Sequence, residues 1–428
     1  MLNVYGSQEE MMQVTGWRLL ISRAATSVLL PNLHTLTLRT ACNSSGPDQP
    51  LWVLALASPS LVNLLISPAG VSEAPKISHL AASFLMKSLA KSHAKIETLG
   101  LFPDAACGND DENGESNFLA CLSGDPFYTY AANMTYLRQL VGTTTWLKPP
   151  SIQILAQLPL LESITAYRSD DECEDVDLSV DSFPSLRALS LRGWSPYEFD
   201  TLMDIEGMVG NLTELDIQLD LTPFVDDEDP DEVHWDMEQF FDNLVQAPFL
   251  TKLRIDADPT GELKRTFVLD GPSVGNLRKL PLQHLHLGAM IVVTDAFSEW
   301  FWPSMISLHI PKQTGTLVTV CELLLVLPTL ESLELELHLK PEPTIQSALV
   351  QPSLRILKAS PESRICSGFN DIDSVARTLQ KIFPGLHEVS WGDGKEKSAS
   401  QTDTSRERVD FLNGHLATLR ELQTLKQK

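Results

Sequence analysis

A proline-led turn followed by the phrase L-x-x-L-x-L recurs along this chain, and that recurrence limits the possible folds more than any other feature. One copy, Ser182–Leu191, reads Ser-Phe-Pro-Ser-Leu-Arg-Ala-Leu-Ser-Leu. With the first apolar position of the phrase as marker, units begin at Leu33, Leu61, Ile96, Leu137, Leu161, Leu186 and Leu212. They continue at Leu250, Leu282, Met305, Leu330, Leu354 and Leu386. Seven of the twelve intervals between markers lie between 23 and 28 residues. Many units carry proline just ahead of the marker, as at Pro31, Pro59, Pro159, Pro184, Pro248, Pro303, Pro328 and Pro384. Proline there stops the preceding segment and donates no ladder hydrogen bond, so it sets the entry to a strand. So short a unit cannot bury its own apolar face, and stacked neighbours must bury it instead.

Period and phrase together are those of the leucine-rich repeat. The expected fold is α/β, an irregular leucine-rich-repeat solenoid. A curved parallel sheet forms its concave face, with helices and loops on the convex side. The position that holds Asn or Cys in the standard repeat is here occupied by residues such as Ala41, Asp104, Thr145, Ser169, Trp194, Met290 and Gln313. No asparagine ladder can form, so other groups must satisfy the turns. Helical periodicity returns between strands at Lys76–Ser92, His234–Val245 and Thr316–Leu327. The expected organisation is a helical cap or linker remnant over 1–30, with Trp17, Leu20, Ile21 and Ala24 on one face. About thirteen repeats over 31–391, a linker over 392–408 and a C-terminal helix over 409–428 follow.

A formal net charge of −24 disfavours nucleic acid, whose phosphates repel an acidic surface, and favours a basic protein partner. The six cysteines stand singly, with no C-x-x-C pair to suggest a zinc ribbon or a disulfide framework. The most apolar run, Leu317–Leu327, is interrupted by Glu322 and is too short to span a bilayer. Residues 1–10 carry no signal-peptide pattern. A monomeric chain of the cytoplasm or nucleus, without membrane contact, is the expectation.

In each unit the third, fifth and seventh positions face away from the leucines. They line the candidate binding face through Tyr167, Arg192, Glu214, Asp216, Gln218, Lys252, Arg254, Asp256, His284, His286, His309, Glu334 and Glu336. The face is polar, mixed in charge and different in each unit, which suits a protein or peptide better than a small molecule. His284, His286 and His309, with Asp256 or Glu334, come nearest to a metal set, but the zinc signature spacing is absent and no metal or cofactor is assigned. Acidic inserts containing Asp170, Asp171, Glu172 and Asp226, Asp227, Glu228, Asp229, Asp231, Glu232 each follow a strand. They are expected to form an acidic lip along one edge, able to steer a basic partner. No nucleotide-binding, lipase-type or metalloprotease motif occurs, and an enzyme is not expected.

The phrases Leu29-Leu30-Pro31-Asn32-Leu33-His34-Thr35-Leu36 and Ser58-Pro59-Ser60-Leu61-Val62-Asn63-Leu64 resemble the F-box/leucine-rich-repeat proteins of mushroom-forming fungi. The resemblance covers roughly residues 29–391. It implies repeats that present a substrate to a cullin ubiquitin ligase, with an F-box docked on a Skp-type adaptor. The opening phrase of the F-box is not found before Leu33, and residues 1–30 look similar to the linker that follows one. The chain is therefore expected to resemble the substrate-recognition part of such a subunit. Contact with the Skp-type adaptor and cullin depends on the F-box. A stand-alone scaffold for a basic partner, unconnected with ubiquitination, is the alternative.

Overall fold

The structure is a computed structural model. It describes residues 2–6, 26–40, 55–68, 76–92, 95–104, 125–169, 181–194, 205–219, 237–257, 267–269, 271–288, 290–292, 302–340, 353–360, 363–365, 369–391 and 408–421, with isolated positions between them. The chain divides into two units, Met1–Leu212 and Thr213–Lys428.

Among the described residues, the main sheet of the first unit runs through seven parallel strands, β1 (Leu2–Gly6), β2 (Thr35–Thr40), β3 (Asn63–Pro68), β4 (Thr98–Gly100), β5 (Gln139–Thr143), β6 (Ser163–Tyr167) and β7 (Ala188–Trp194), hydrogen-bonded in that order. The second carries β8 (Glu214–Leu219), β9 (Lys252–Ala257), β10 (His284–Leu287), β11 (Ser307–Gly315), β12 (Ser332–Leu339), β13 (Ile356–Ala359) and β14 (Glu388–Trp391), again parallel and in chain order. All thirteen markers are followed by a strand that starts two residues later, and every marker is buried. Each unit is a leucine-rich-repeat array.

Strand entry is built the same way throughout. The marker's N–H donates to the carbonyl three residues back, as in Leu33 to Leu30, Leu61 to Ser58, Leu186 to Phe183, Leu250 to Ala247, Leu330 to Leu327 and Leu386 to Phe383. That closes a β-turn whose second residue is the recurrent proline, and proline's fixed φ suits that position. The proline thus belongs to a turn ahead of the strand. The next two N–H groups share one carbonyl of the preceding unit, as when Glu331 and Ser332 both donate to Ile306. Burial then alternates along each strand. In β12 the leucines at 333, 335, 337 and 339 are fully buried, and the residues between them are half-buried.

The missing asparagine ladder is replaced piecemeal. The Trp146 indole donates to the Leu101 carbonyl at 3.0 Å and the Trp194 indole to Ala166 at 3.3 Å. Hydroxyls serve elsewhere. The Thr144 and Ser169 hydroxyls meet at 2.5 Å, and Ser363 Oγ accepts from the Leu337 N–H at 2.7 Å. Buried Asp104 pairs with Lys76 at 2.8 Å. Each group satisfies backbone or charge that burial would otherwise leave costly.

Three helices fall on the expected segments: α1 (His79–Lys91), α5 (Met237–Leu244) and α7 (Leu317–Val326). Between and around them lie α2 (Phe127–Ala131), α3 (Ser151–Leu155), α4 (Glu206–Val209), α6 (Gly271–Leu277) and α8 (Phe369–Ile382). Ser78 caps α1 by accepting from the Ala81 N–H at 3.2 Å, and Thr316 with Thr319 forms a capping box on α7.

The N-terminal end corrects the sequence reading. Residues 1–30 were expected to stand outside the repeats as a helical cap or linker remnant, yet Leu2–Gly6 pairs with Leu36–Thr40 as a further parallel strand. At the other end the helix over 408–421, α9, buries Val409, Leu412 and Leu416. Its Asn413 amide accepts from the Val389 N–H at 2.9 Å and donates to the Val389 carbonyl at 2.7 Å. One side chain so reproduces, at β14, the two hydrogen bonds a further strand would make, and blunts a sheet edge. Replacing Asn413 by Ala is expected to cost about 1–3 kcal/mol by leaving buried backbone groups unpaired. Urea unfolding followed by circular dichroism measures the loss, and an unchanged midpoint would refute the edge role.

Candidate functional site

The leucines of each strand turn to the packed side, so the intervening residues present an open face. In the second unit, parallel register aligns those residues into rows. One row runs Asp216, Arg254, His286, His309, Glu334, Lys358, each beside the next on the adjacent strand. A second runs Glu214, Lys252, His284, Ser307, Ser332, Ile356. The expected candidates from Glu214 to Glu334 are therefore direct neighbours. Tyr167 and Arg192 lie level with one another in the first unit, where the Tyr167 ring also meets Phe102 edge-on at 5.6 Å. The acidic-lip residues Asp170, Asp171, Glu172, Asp226, Asp227, Glu228, Asp229, Asp231 and Glu232 lie outside the described residues.

A bulge interrupts the register. After Ile310 the β11 strand bulges through Pro311–Gln313, and Thr314 comes level with Glu336. Pro311, without an N–H, suits a bulge better than a ladder position. Glu336 instead pairs with His338 on its own strand at 3.1 Å.

Most charges on this face are matched within it. Lys252 contacts Glu214. Arg254 reaches one oxygen of Asp256 at 2.6 Å, and His286 Nε2 lies 2.8 Å from the other. His309 Nδ1 lies 3.2 Å from Glu334 Oε2, and its Nε2 lies 2.8 Å from Ser307 Oγ and 3.3 Å from Ser332 Oγ. The His286 and His309 rings stand 5.8 Å apart. Gly288 makes the Asp256–His286 contact possible, because a Cβ there would lie 1.7 Å from Asp256 Oδ1 and 3.1 Å from His286 Nε2. Gly288→Ala is expected to drive the carboxylate out of the pair. A lowered His286 ring shift dispersion by NMR, against an unchanged fold, would report it, and an unperturbed ring would refute the steric argument.

These contacts set the titration of the face. Burial alone would raise the Asp256 carboxyl, but the hydrogen bond and charge of His286, with Arg254, outweigh it and hold the group below its ordinary range. The hydrogen bond from His309 holds Glu334 low against the effect of burial, with His309, Lys358 and His286 adding charge. Burial, then the charges of Lys252 and His309, lower the His284 imidazole. Arg254 is raised: burial opposes its charge, but Asp256, Asp216 and Glu334 outweigh burial.

All three lowered groups bind protons less readily folded than unfolded, so each favours the native state at higher pH. The Asp256 and Glu334 contributions are complete above their ordinary values of 3.8 and 4.5 and are lost as pH falls through the lower folded values. The His284 contribution begins to fall away below its ordinary 6.5. Urea midpoints measured from pH 7 to pH 3 are expected to fall with acid, and the double variant Asp256→Asn, Glu334→Gln should flatten the lower part of the curve. An unaltered slope in the variant would show that other carboxylates govern it.

Lys358 and His338 belong to this face but were not among the expected residues. Lys358 is the fifth position of the Leu354 unit, so the repeat register could have found it. His338 stands two residues after Glu336 on one strand, so strand alternation places the two on the same face. Among the described residues no group of three or more His, Cys, Asp or Glu side chains is arranged to hold a metal ion. No described helix is long and apolar enough to cross a membrane.

No family model matches the chain, and no curated protein matches it significantly. Solved structures do. The Toll–Spatzle complex of Drosophila aligns over 86% of this chain and 52% of its own, at 12% identity and a TM-score of 0.38. The TLR13–ssRNA13 complex aligns over 86% of this chain and 57% of its own, at 14% identity and a TM-score of 0.31. The chain thus spans a little over half the length of each of these structures.

Proposed function

We propose that the chain is a protein-recognition module that binds an extended protein segment on the open sheet face of its second unit. The observation that carries this reading is the row Asp216, Arg254, His286, His309, Glu334, Lys358. It lays charged and polar groups of both signs across six adjacent strands of an open face, a surface that suits an extended segment. Because most of these charges are already paired with one another, binding exchanges one set of ion pairs for another. Such a face contributes more to specificity than to affinity. The overall excess of acid, −24, favours a basic partner. The resemblance to F-box/leucine-rich-repeat proteins supports a finer reading, in which the partner is the substrate of a cullin ubiquitin ligase in the cytoplasm or nucleus. The alternative is a scaffold with no tie to ubiquitination.

Photo-crosslinking amino acids placed at Arg254 and Lys358, with exposed Lys381 on α8 as control, test the face. Adducts with a basic protein are expected from the first two positions. Adducts confined to Lys381 would overturn the reading. The ligase connection is tested separately by mixing the purified chain with a purified Skp-type adaptor and cullin. A stable ternary complex supports it, and elution of the chain alone favours the scaffold.

A further inference from the structure

The row described above contains an arrangement that recognition does not need. Ser307 and His309 are two residues apart on β11 and so project from the same face. Glu334 sits beside His309 on β12. The Ser307 hydroxyl lies 2.8 Å from His309 Nε2, and His309 Nδ1 lies 3.2 Å from Glu334 Oε2. A carboxylate can only accept, so Nδ1 carries a proton; in the neutral imidazole the Nε2 lone pair then faces the Ser307 and Ser332 hydroxyls. The imidazole and carboxylate are sheltered, with 18% and 15% of their side chains exposed. The His309 hydrogen bond holds the Glu334 carboxyl below its ordinary range. A serine hydroxyl bonded to a base that a third group orients is the arrangement of an activated nucleophile.

We propose that Ser307 is an acyl-accepting nucleophile, with His309 as its general base and Glu334 as a positioning residue, and that it cleaves carboxylic esters. Ser307 Oγ bonds to the ester carbonyl carbon as its proton passes to His309 Nε2. Collapse breaks the bond to the alcohol, which leaves with that proton. Water then gives a proton to Nε2 and adds to the acyl carbon. Collapse frees the carboxylic acid and returns the proton to Ser307, so the sum is ester plus water to acid plus alcohol. The Ser307 N–H already donates to the Gln283 carbonyl at 3.0 Å, so the developing oxyanion takes its donor from a side chain. The proposal gives that role to His284, which lies level with Ser307 on the neighbouring strand.

The test uses an alkyl fluorophosphonate on the purified full chain, with the adduct located by peptide mass spectrometry. A single adduct at Ser307 is expected, formed at least about 100-fold faster than in urea-unfolded chain. Ser307→Ala should abolish it, and Ser185→Ala, in the turn ahead of β7, should leave it. His309→Gln should slow it by about 100-fold or more. Glu334→Gln should slow it and change the shape of its pH profile, and Glu334→Asp should restore part of both, which a merely structural role would not do. No adduct at Ser307, an adduct on Ser332 instead, or an equal rate in folded and unfolded chain overturns the proposal. So does labelling of a folded His309→Gln variant at the wild-type rate. If that variant does not fold, the comparison of folded with unfolded wild-type chain decides. The partner-binding reading stands or falls by the crosslinking experiment, independently of this one.

Discussion

Gly142→Ala is expected to destabilise the first unit by about 2–4 kcal/mol, combining overpacking of a filled core with loss of a buried hydrogen bond. Gly142 lies in β5 with its missing side chain aimed at the packed face. A Cβ there would come within 2.4 Å of Trp146 Cδ1, 2.5 Å of the Leu101 carbonyl oxygen and 2.6 Å of Trp146 Nε1. Two of those atoms are the partners of the indole hydrogen bond that replaces an asparagine rung here. Trp146 is 1% exposed, so the ring has no solvent-facing refuge. The carbonyl is backbone and cannot swing aside. A double-mutant cycle separates the causes. Trp146→Ala alone should cost about 3–5 kcal/mol, and adding Gly142→Ala should then cost much less than it does alone. Strict additivity in urea titrations would show that the methyl meets something other than the indole.

Leu333→Ala should cost the second unit about 2–5 kcal/mol, through lost transfer energy and a residual cavity. Leu333 stands in the middle of an apolar row, Leu215, Leu253, Leu285, Leu308, Leu333, Leu357 and Val389, each level with the next across parallel strands. Every member is at most 2% exposed. Each repeat contacts chiefly its neighbours, so the cavity opens towards Leu308 and Leu357 together, and neither strand can close it without leaving the other. Ser332→Ala, one residue earlier on the open face, should shift stability by no more than about 0.5 kcal/mol. The contrast is the test. Similar midpoints for the two variants would show that the packed and open faces are assigned to the wrong sides.

Much of the second unit's site could be read from the repeat phrase. Marker positions two residues ahead of β8 to β14 give the register, and register alone makes His286 and His309 neighbours. Other parts could not be read. The bulge at Pro311–Gln313 re-pairs Glu336, and the contacts of Ser307 depend on the rotamer of His309 rather than on spacing. The sequence reading counted no nucleophile with its base, because Ser-x-His is too short and common a phrase to signal one. Its third member lies 25 residues on, in the next unit.

The alternation of leucines, the turn prolines and the marker spacing were decided by the sequence alone, because each is a local property of a few residues. An extended strand alternates its side chains whatever surrounds it, and proline fixes its own φ. Tertiary structure decided what completes the array. It recruited Leu2–Gly6 as a strand and used the Asn413 amide in place of another. It also chose indoles and hydroxyls for the asparagine rungs. These choices answer one physical demand, that buried backbone groups find partners, and the partner can come from any residue the fold brings close. Local pattern specifies the groups that need a partner. Only packing decides which distant residue supplies it.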